Sequence, residues 1–221
     1  MIYGLLNSPS KLENVKFVVV KETGPWRGKI VQSILPFLKP GLDLNPDNLR
    51  TLKERINSLP WVEHCKLDIR GGTLEVKIWE EPTAFSLIFR GKLYLIGRNG
   101  FVLEERPLKV SQGEVFSYRG KLSPFKLENG FLKLRNFVRI EVNLVKDKIK
   151  ELNLESKEVQ IVLMDVGVLI LLKAPSCIVY LSFNDNSWKR FASILKEGFL
   201  KPGIYDFRYS GLLVLQGRKG R

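Results

Sequence analysis

One histidine and two cysteines are the whole supply of imidazole and thiol ligands in these 221 residues. A structural zinc site takes about four such ligands and a disulfide scaffold several pairs, so no metal, no cofactor and no cystine framework is expected. Cys65 and Cys177 each lie in an apolar, strand-like run and read as buried free thiols, which say little about redox compartment. Long apolar runs are missing too. No stretch reaches the eighteen or so residues that a membrane-crossing helix needs. Met1 to Asn14 is too short, and too broken by Asn7, Pro9 and Lys11, for a signal peptide. The sequence as it stands predicts a soluble protein, with no low-complexity tract and no repeat of fixed period.

Positive charge is abundant. Lys and Arg number 36 against 23 Asp and Glu, a formal charge of +13, and 44% of residues are hydrophobic, enough for a sizeable core. Residues 83–221 hold 24 basic and 13 acidic side chains, and the stretch before them 12 and 10. The excess therefore lies in the second part. It predicts attraction to an anionic partner, whether nucleic acid, an acidic membrane face or an acidic protein.

Val15–Val20 reads as a strand and Lys29–Leu38 as a helix that stops at Pro40-Gly41. Asn45-Pro46 opens a second helix with Leu49, Leu52 and Ile56 on one face, ending near Ser58. Trp61–Arg70 and Thr73–Trp79 alternate as strands across Gly71-Gly72. The order β-α-α-β-β makes a small α+β module over residues 15–82, after a linker at 1–14. From residue 83 to 217 short strands dominate: 84–89, 92–96, 101–103, 149–154, 159–172 with a break at 165–167, and 177–183. Two helices are expected among them, over 125–138 and over Ser187–Lys196 behind a cap offered by Asn184-Asp185-Asn186. Residues 104–124 carry no clear pattern. A last strand runs over Ile204–Gln216, and 218–221 is a basic stub.

Motifs suggestive of chemistry do not complete. Gly24-Pro25-Trp26-Arg27-Gly28-Lys29 sits where a phosphate loop would, but is one residue short and has Ile30 where Ser or Thr must hold magnesium. His64 and Cys65 are adjacent in a strand and point to opposite faces, so neither activates the other. Glu80-Glu81 and Glu104-Glu105 diverge similarly, and no carboxylate lies among apolar residues that would raise its pKa. No catalytic residue is assigned and the chain is read as a non-enzyme. A basic, single-stranded nucleic-acid binder is the alternative reading, resting on the charge and on interspersed aromatics such as Phe116, Tyr118, Trp188 and Tyr209. No recognised nucleic-acid motif accompanies them.

Several segments together resemble one family. Leu59-Pro60-Trp61-Val62-Glu63, Lys66–Arg70, and Thr73–Trp79 closing in Glu80-Glu81-Pro82-Thr83-Ala84 resemble the POTRA module of the FtsQ/DivIB division proteins. Leu93–Val102 is similar to the hairpin that opens that family's β domain. Val179-Tyr180-Leu181, Trp188–Leu195 and Tyr205-Asp206-Phe207-Arg208 resemble its later segments. Gly97, Gly71-Gly72 and Ser182 depart from the usual Asp, Pro and Gly.

The resemblance implies an α+β chain: a POTRA domain at 15–82, then a mainly antiparallel β domain at 83–217 whose last strand lies at an exposed edge. It implies a divisome scaffold that binds FtsB/DivIC-like and FtsL-like proteins, meets other division proteins through POTRA, and takes no small-molecule substrate. Members carry a cytoplasmic segment and one transmembrane helix before POTRA. The extracytoplasmic face of the cytoplasmic membrane is thus expected where such an anchor precedes Met1. Carried across residue by residue, the partner edge falls on Arg208, Tyr209, Ser210, Gly211, Leu212, Leu213 and Val214. Arg208 would meet an acidic residue, Tyr209 would anchor, and Leu212 and Val214 would make apolar contacts.

Overall fold

A β-branched run, Val18-Val19-Val20, lies near the end of strand β1 (Asn14–Lys21), the first element of a computed structural model that describes residues 11–70, 72–108, 115–154, 159–173 and 175–209. The chain is α+β and divides into two units, Met1–Ala84 with Gly97–Leu103, and Phe85–Ile96 with Glu104–Arg221.

In the first unit β1 is followed by α1 (Arg27–Ile34), α2 (Pro46–Asn57), β2 (Val62–Arg70) and β3 (Thr73–Glu80). The sheet order is β1-β3-β2, with β1 parallel and β2 antiparallel to the central β3. Leu74, Val76 and Ile78 are buried at alternate positions of β3, while α1 buries Ile30 and Ile34 and α2 buries Leu52 and Ile56. The first helix is shorter than its apolar spacing suggests. It ends at Ile34 and gives way to a 3-10 turn at Leu35–Phe37, because Pro36 has no N–H to continue the α-helical ladder. The second starts as expected, with the Asn45 side chain accepting from the Asn48 N–H at 2.8 Å. A bulge at Glu63 shifts the register of β2, so Val62 and Cys65 are both buried and His64 lies outside, its ring stacked on Trp79 at 4.1 Å.

The later strands are β4 (Thr83–Phe89), β5 (Lys92–Gly97), β6 (Val102–Pro107) and β7 (Val115–Tyr118), then the pair β8 (Phe125–Glu128) and β9 (Phe131–Leu134). Helix α3 (Asn136–Glu151) precedes β10 (Val159–Met164), β11 (Gly167–Leu172) and β12 (Cys177–Leu181), and α4 (Asp185–Lys196) precedes β13 (Gly203–Asp206). Eight of these strands make one sheet, in the order β13-β12-β11-β10-β7-β4-β5-β6. It is more mixed than expected. β10 pairs antiparallel with β11 and β11 with β12, but β4–β7, β7–β10 and β12–β13 are parallel. Each parallel pair is joined by a long crossover, the β8–β9 hairpin with α3 in one case and α4 in another.

The segment expected as a helix at 125–138 is instead the β8–β9 hairpin. Asn129 and Gly130, both at positive φ (53° and 81°), form its two-residue turn. The helix begins eleven residues later than expected, at Asn136, and runs through what read as the start of a strand at 149–154. Val138, Val142 and Val145 form its buried stripe. β7 lies in the unassigned region 104–124. The α4 cap is as expected, Asn184 accepting from Ser187 N–H at 3.0 Å.

Candidate partner-binding edge

The chain's return after α4 is fixed by buried aromatics. Tyr205 is buried, and its hydroxyl donates to Lys201 O at 2.8 Å and accepts from Lys201 N–H at 2.9 Å, closing the loop that leads into β13. Its ring stacks with buried Phe207 at 6.3 Å, and Phe207 packs on Phe191 of α4. These contacts seat β13 beside β12, with Val179 opposite Tyr205 and Tyr180 opposite Asp206.

β13 stands last in the sheet order, and among the described residues its far side carries no strand. Gly203 N–H donates to Ser176 O and Phe207 N–H to Tyr180 O, so odd-numbered residues face β12. By strand alternation the amides of Ile204 and Asp206 face away from it. The next outward amide, Arg208 N–H, is taken by Asp206 Oδ1 at 3.0 Å. This is a local side-chain turn of the Asx kind, and it ends the ladder there.

The strand expected over Ile204–Gln216 therefore stops at Asp206 within the described residues, and Phe207–Tyr209 bends. The physical reason is the competition just described: the Asp206 carboxylate offers the backbone a local partner in place of a strand. Arg208 Nε donates to the same carboxylate at 3.0 Å and its Nη2 to Oδ2. The pairing holds the Asp206 carboxyl below its ordinary range, through the Arg208 hydrogen bond first. The guanidinium also lies over the Tyr180 ring at 4.8 Å and the Tyr209 ring at 5.5 Å. Arg208 and Tyr209 are thus brought together, Tyr209 being 64% exposed. Ser210, Gly211, Leu212, Leu213 and Val214 lie outside the described residues.

Elsewhere the structure corrects the reading of the carboxylates. Glu80 and Glu81 are both buried. Glu80 follows Leu74, Val76 and Ile78 in phase on the inner face of β3, a signal present in the alternation but overlooked beside its acidic neighbour. Its Oε2 accepts from Thr23 N–H at 3.1 Å and Gly24 N–H at 3.0 Å, at the turn that resembles a phosphate loop. Those amides are held by the protein's own carboxylate. Glu81 accepts from Asn99 N–H at 2.9 Å, and burial pushes its carboxyl up, opposed by the Asn99 and Arg98 amides. On α3, burial and then the Asp165 charge push Glu141 up to about 7. Burial also raises the Cys65 thiol to about 11, so the thiolate is disfavoured.

Among the described residues no cluster of three or more His, Cys, Asp or Glu is placed to hold a metal ion, and no helix is long and apolar enough to cross a membrane. No protein-family model matches the chain, and no curated protein matches it.

Proposed function

We propose that this chain is a non-enzymatic scaffold of the cell-division machinery, of the FtsQ/DivIB kind, holding an FtsB/DivIC–FtsL-like pair by β-strand addition. The observation that carries the reading is the end position of β13, whose Ile204 and Asp206 amides face away from β12 beside the exposed Tyr209. An unpaired strand edge offers a row of main-chain donors and acceptors, and side chains beside it select the partner. The β1-α1-α2-β2-β3 order of the first unit, with β3 central, supports a POTRA module that meets other division proteins. The reading places the chain outside the cytoplasmic membrane, with the partner strand pairing on the outward Ile204 and Asp206 amides and the assigned residues from Arg208 to Val214 making side-chain contacts beside it.

In the free protein Arg208 is paired with Asp206. A partner carboxylate would share the guanidinium's remaining donors rather than meet an unpaired charge, and Tyr209 would supply the larger part of the affinity.

The test is binding of the full chain to an FtsB/DivIC-like peptide. Tyr209→Ala is expected to weaken binding by roughly tenfold or more, the loss typical of an aromatic anchor. Leu212→Pro, within the assigned partner residues, is expected to abolish it. Unchanged binding in both variants, with an unchanged circular dichroism spectrum, would defeat the assignment of this edge.

A further inference from the structure

Among the described residues the β8–β9 hairpin pairs only with itself, a two-stranded ribbon separate from the eight-stranded sheet. Phe125 and Leu127 of β8 share one face with Leu132 and Leu134 of β9, since Phe125 lies opposite Leu134 and Leu127 opposite Leu132. At the base this face belongs to the core. Phe125 is 7% exposed and lies against Tyr94 (4.6 Å) and Phe89 (6.2 Å), and Leu134 is 1% exposed. Toward the tip the same apolar face emerges into solvent, with Leu132 at 37% and Leu127 at 74%. Leu122, just before the hairpin, and Phe137 and Ile140, on the first turns of α3 just after it, are exposed as well. Five large apolar side chains exposed within one short stretch exceed the scattered singles of an ordinary surface.

The same stretch is strongly basic. From Arg119 to Ile140 there are six basic residues and one acidic residue. That acid, Glu128, is bound by both Lys126 and Lys133 on the opposite face of the ribbon. Arg119, Lys121, Arg135 and Arg139 are exposed and carry the remaining charge outward. An exposed apolar tip flanked by cations matches a negatively charged bilayer interface. Leucines enter the headgroup–acyl boundary while Lys and Arg meet lipid phosphates, at about 1 kcal/mol for each basic residue near the surface.

We propose that the β8–β9 hairpin, with the first turns of α3, is a peripheral binding surface for anionic lipid bilayers. Its apolar contact is Leu127 and Leu132, and its electrostatic contact is Arg119, Lys121 and Arg139. This surface is independent of β13, and it gives a destination to the excess of positive charge in the second part of the chain. The charge favours this occupant: the one acid of the stretch is already bound by Lys126 and Lys133, which leaves its cations to a surface dense in phosphate.

The experiment is co-sedimentation of the full chain with phosphatidylglycerol–phosphatidylcholine vesicles and with pure phosphatidylcholine vesicles. Binding is expected to the first and to be at least about tenfold weaker to the second, and to fall further as salt screens the charges. The double variant L127E/L132E alters only exposed positions and keeps the fold, checked by an unchanged melting curve. It is expected to lower vesicle partitioning by about tenfold or more. The charge variant R119E/R139E is expected to do the same. A Leu127→Trp variant should show blue-shifted emission when anionic vesicles are added. Equal binding to both vesicle types, no binding to either, or L127E/L132E sedimenting like the parent would each overturn the proposal. So would a double variant that binds vesicles normally but no longer captures a protein partner, which would reassign the ribbon to protein docking.

Discussion

The two units are held together by different means. In the first, polar side chains reach across to backbone. Glu80 binds the Thr23 and Gly24 amides, Glu81 the Asn99 amide, Asn57 the Cys65 amide, and the Trp61 indole N–H donates to Leu103 O at 2.7 Å. In the second, aromatic packing and close backbone approach dominate. Phe85 meets Phe116 edge-on, Phe89 meets Tyr118 and Phe125, and Gly167 of β11 lies close against the backbone of Leu181 in β12. The difference follows from what each unit must order. A three-stranded sheet has little apolar area, so its long connections are placed by hydrogen bonds whose loss leaves a buried donor unmade. An eight-stranded sheet buries more apolar area, so packing carries the larger share there, beside local bonds such as that between Tyr205 and Lys201.

The largest expected effect tests the second half of that contrast. Gly167 has φ 145°, and a Cβ built there would lie 2.0 Å from Leu181 O and 3.1 Å from its carbonyl carbon. Backbone cannot swing aside as a side chain can. Gly167→Ala is expected to destabilise the protein by about 3 kcal/mol or more, read as a lower urea midpoint. A loss under about 0.5 kcal/mol would mean that the β11–β12 approach is slack and that packing does not govern this unit.

The first half is tested at Glu80. Glu80→Ala removes the acceptor of two part-buried amides and is expected to cost about 1–2 kcal/mol, whereas Glu80→Gln keeps an acceptor and should cost about half as much. Equal losses in both would show that charge rather than hydrogen bonding holds the turn. Among the described residues the indole N–H of buried Trp26 and Glu80 Oε1 have no hydrogen-bond partner, so the arrangement has little polar reserve.

What was legible in the sequence follows the same division. The β-α-α-β-β order could be read because its caps and breakers are local: Asn45 before Pro46, and Pro60 after Ser58. Within the second unit the break expected at 165–167, where β11 already begins at Gly167, and the cap offered at Asn184-Asp185-Asn186, filled by Asn184, were equally local. The stretch 125–154 was misread where two signals competed. Apolar spacing over 125–138 points to a helix, whereas Asn129-Gly130 together make the two-residue turn that twists with a hairpin. Parallel pairing left no local mark, since it is set by crossovers of a dozen residues or more. At the candidate edge the aromatic alternation of Tyr205 and Phe207 was visible, but the Asp206 carboxylate turning back on Arg208 N–H was not. The buried state of Glu80 was available in the phase of β3, and the raised pKa of half-buried Glu141 was not, because it depends in part on Asp165 lying close by in space.

That last pair gives the smallest effect and the finest test of the contrast. Glu81 in the first unit is buried but supplied with backbone amides, which oppose the rise of its pKa. Glu141 in the second is pushed to about 7 by burial and then by Asp165, without an amide to offset them. A carboxyl with a folded pKa above its unfolded value binds more protons when folded. Its contribution to stability is therefore fully present at low pH and is lost as pH rises from about 4.5 through about 7. Glu81 acts in the same direction, while Asp68, Glu75, Glu128 and Asp206, all lowered, favour the folded state once they ionise at lower pH. The difference between parent and Glu141→Gln isolates the one site. The variant should melt at the same temperature as the parent near pH 4, below the unfolded value of 4.5, and above it at pH 8, with a flatter slope between. Parallel melting curves across that range would mean that Glu141 reaches solvent, and that the second unit tolerates a buried carboxylate no differently from the first.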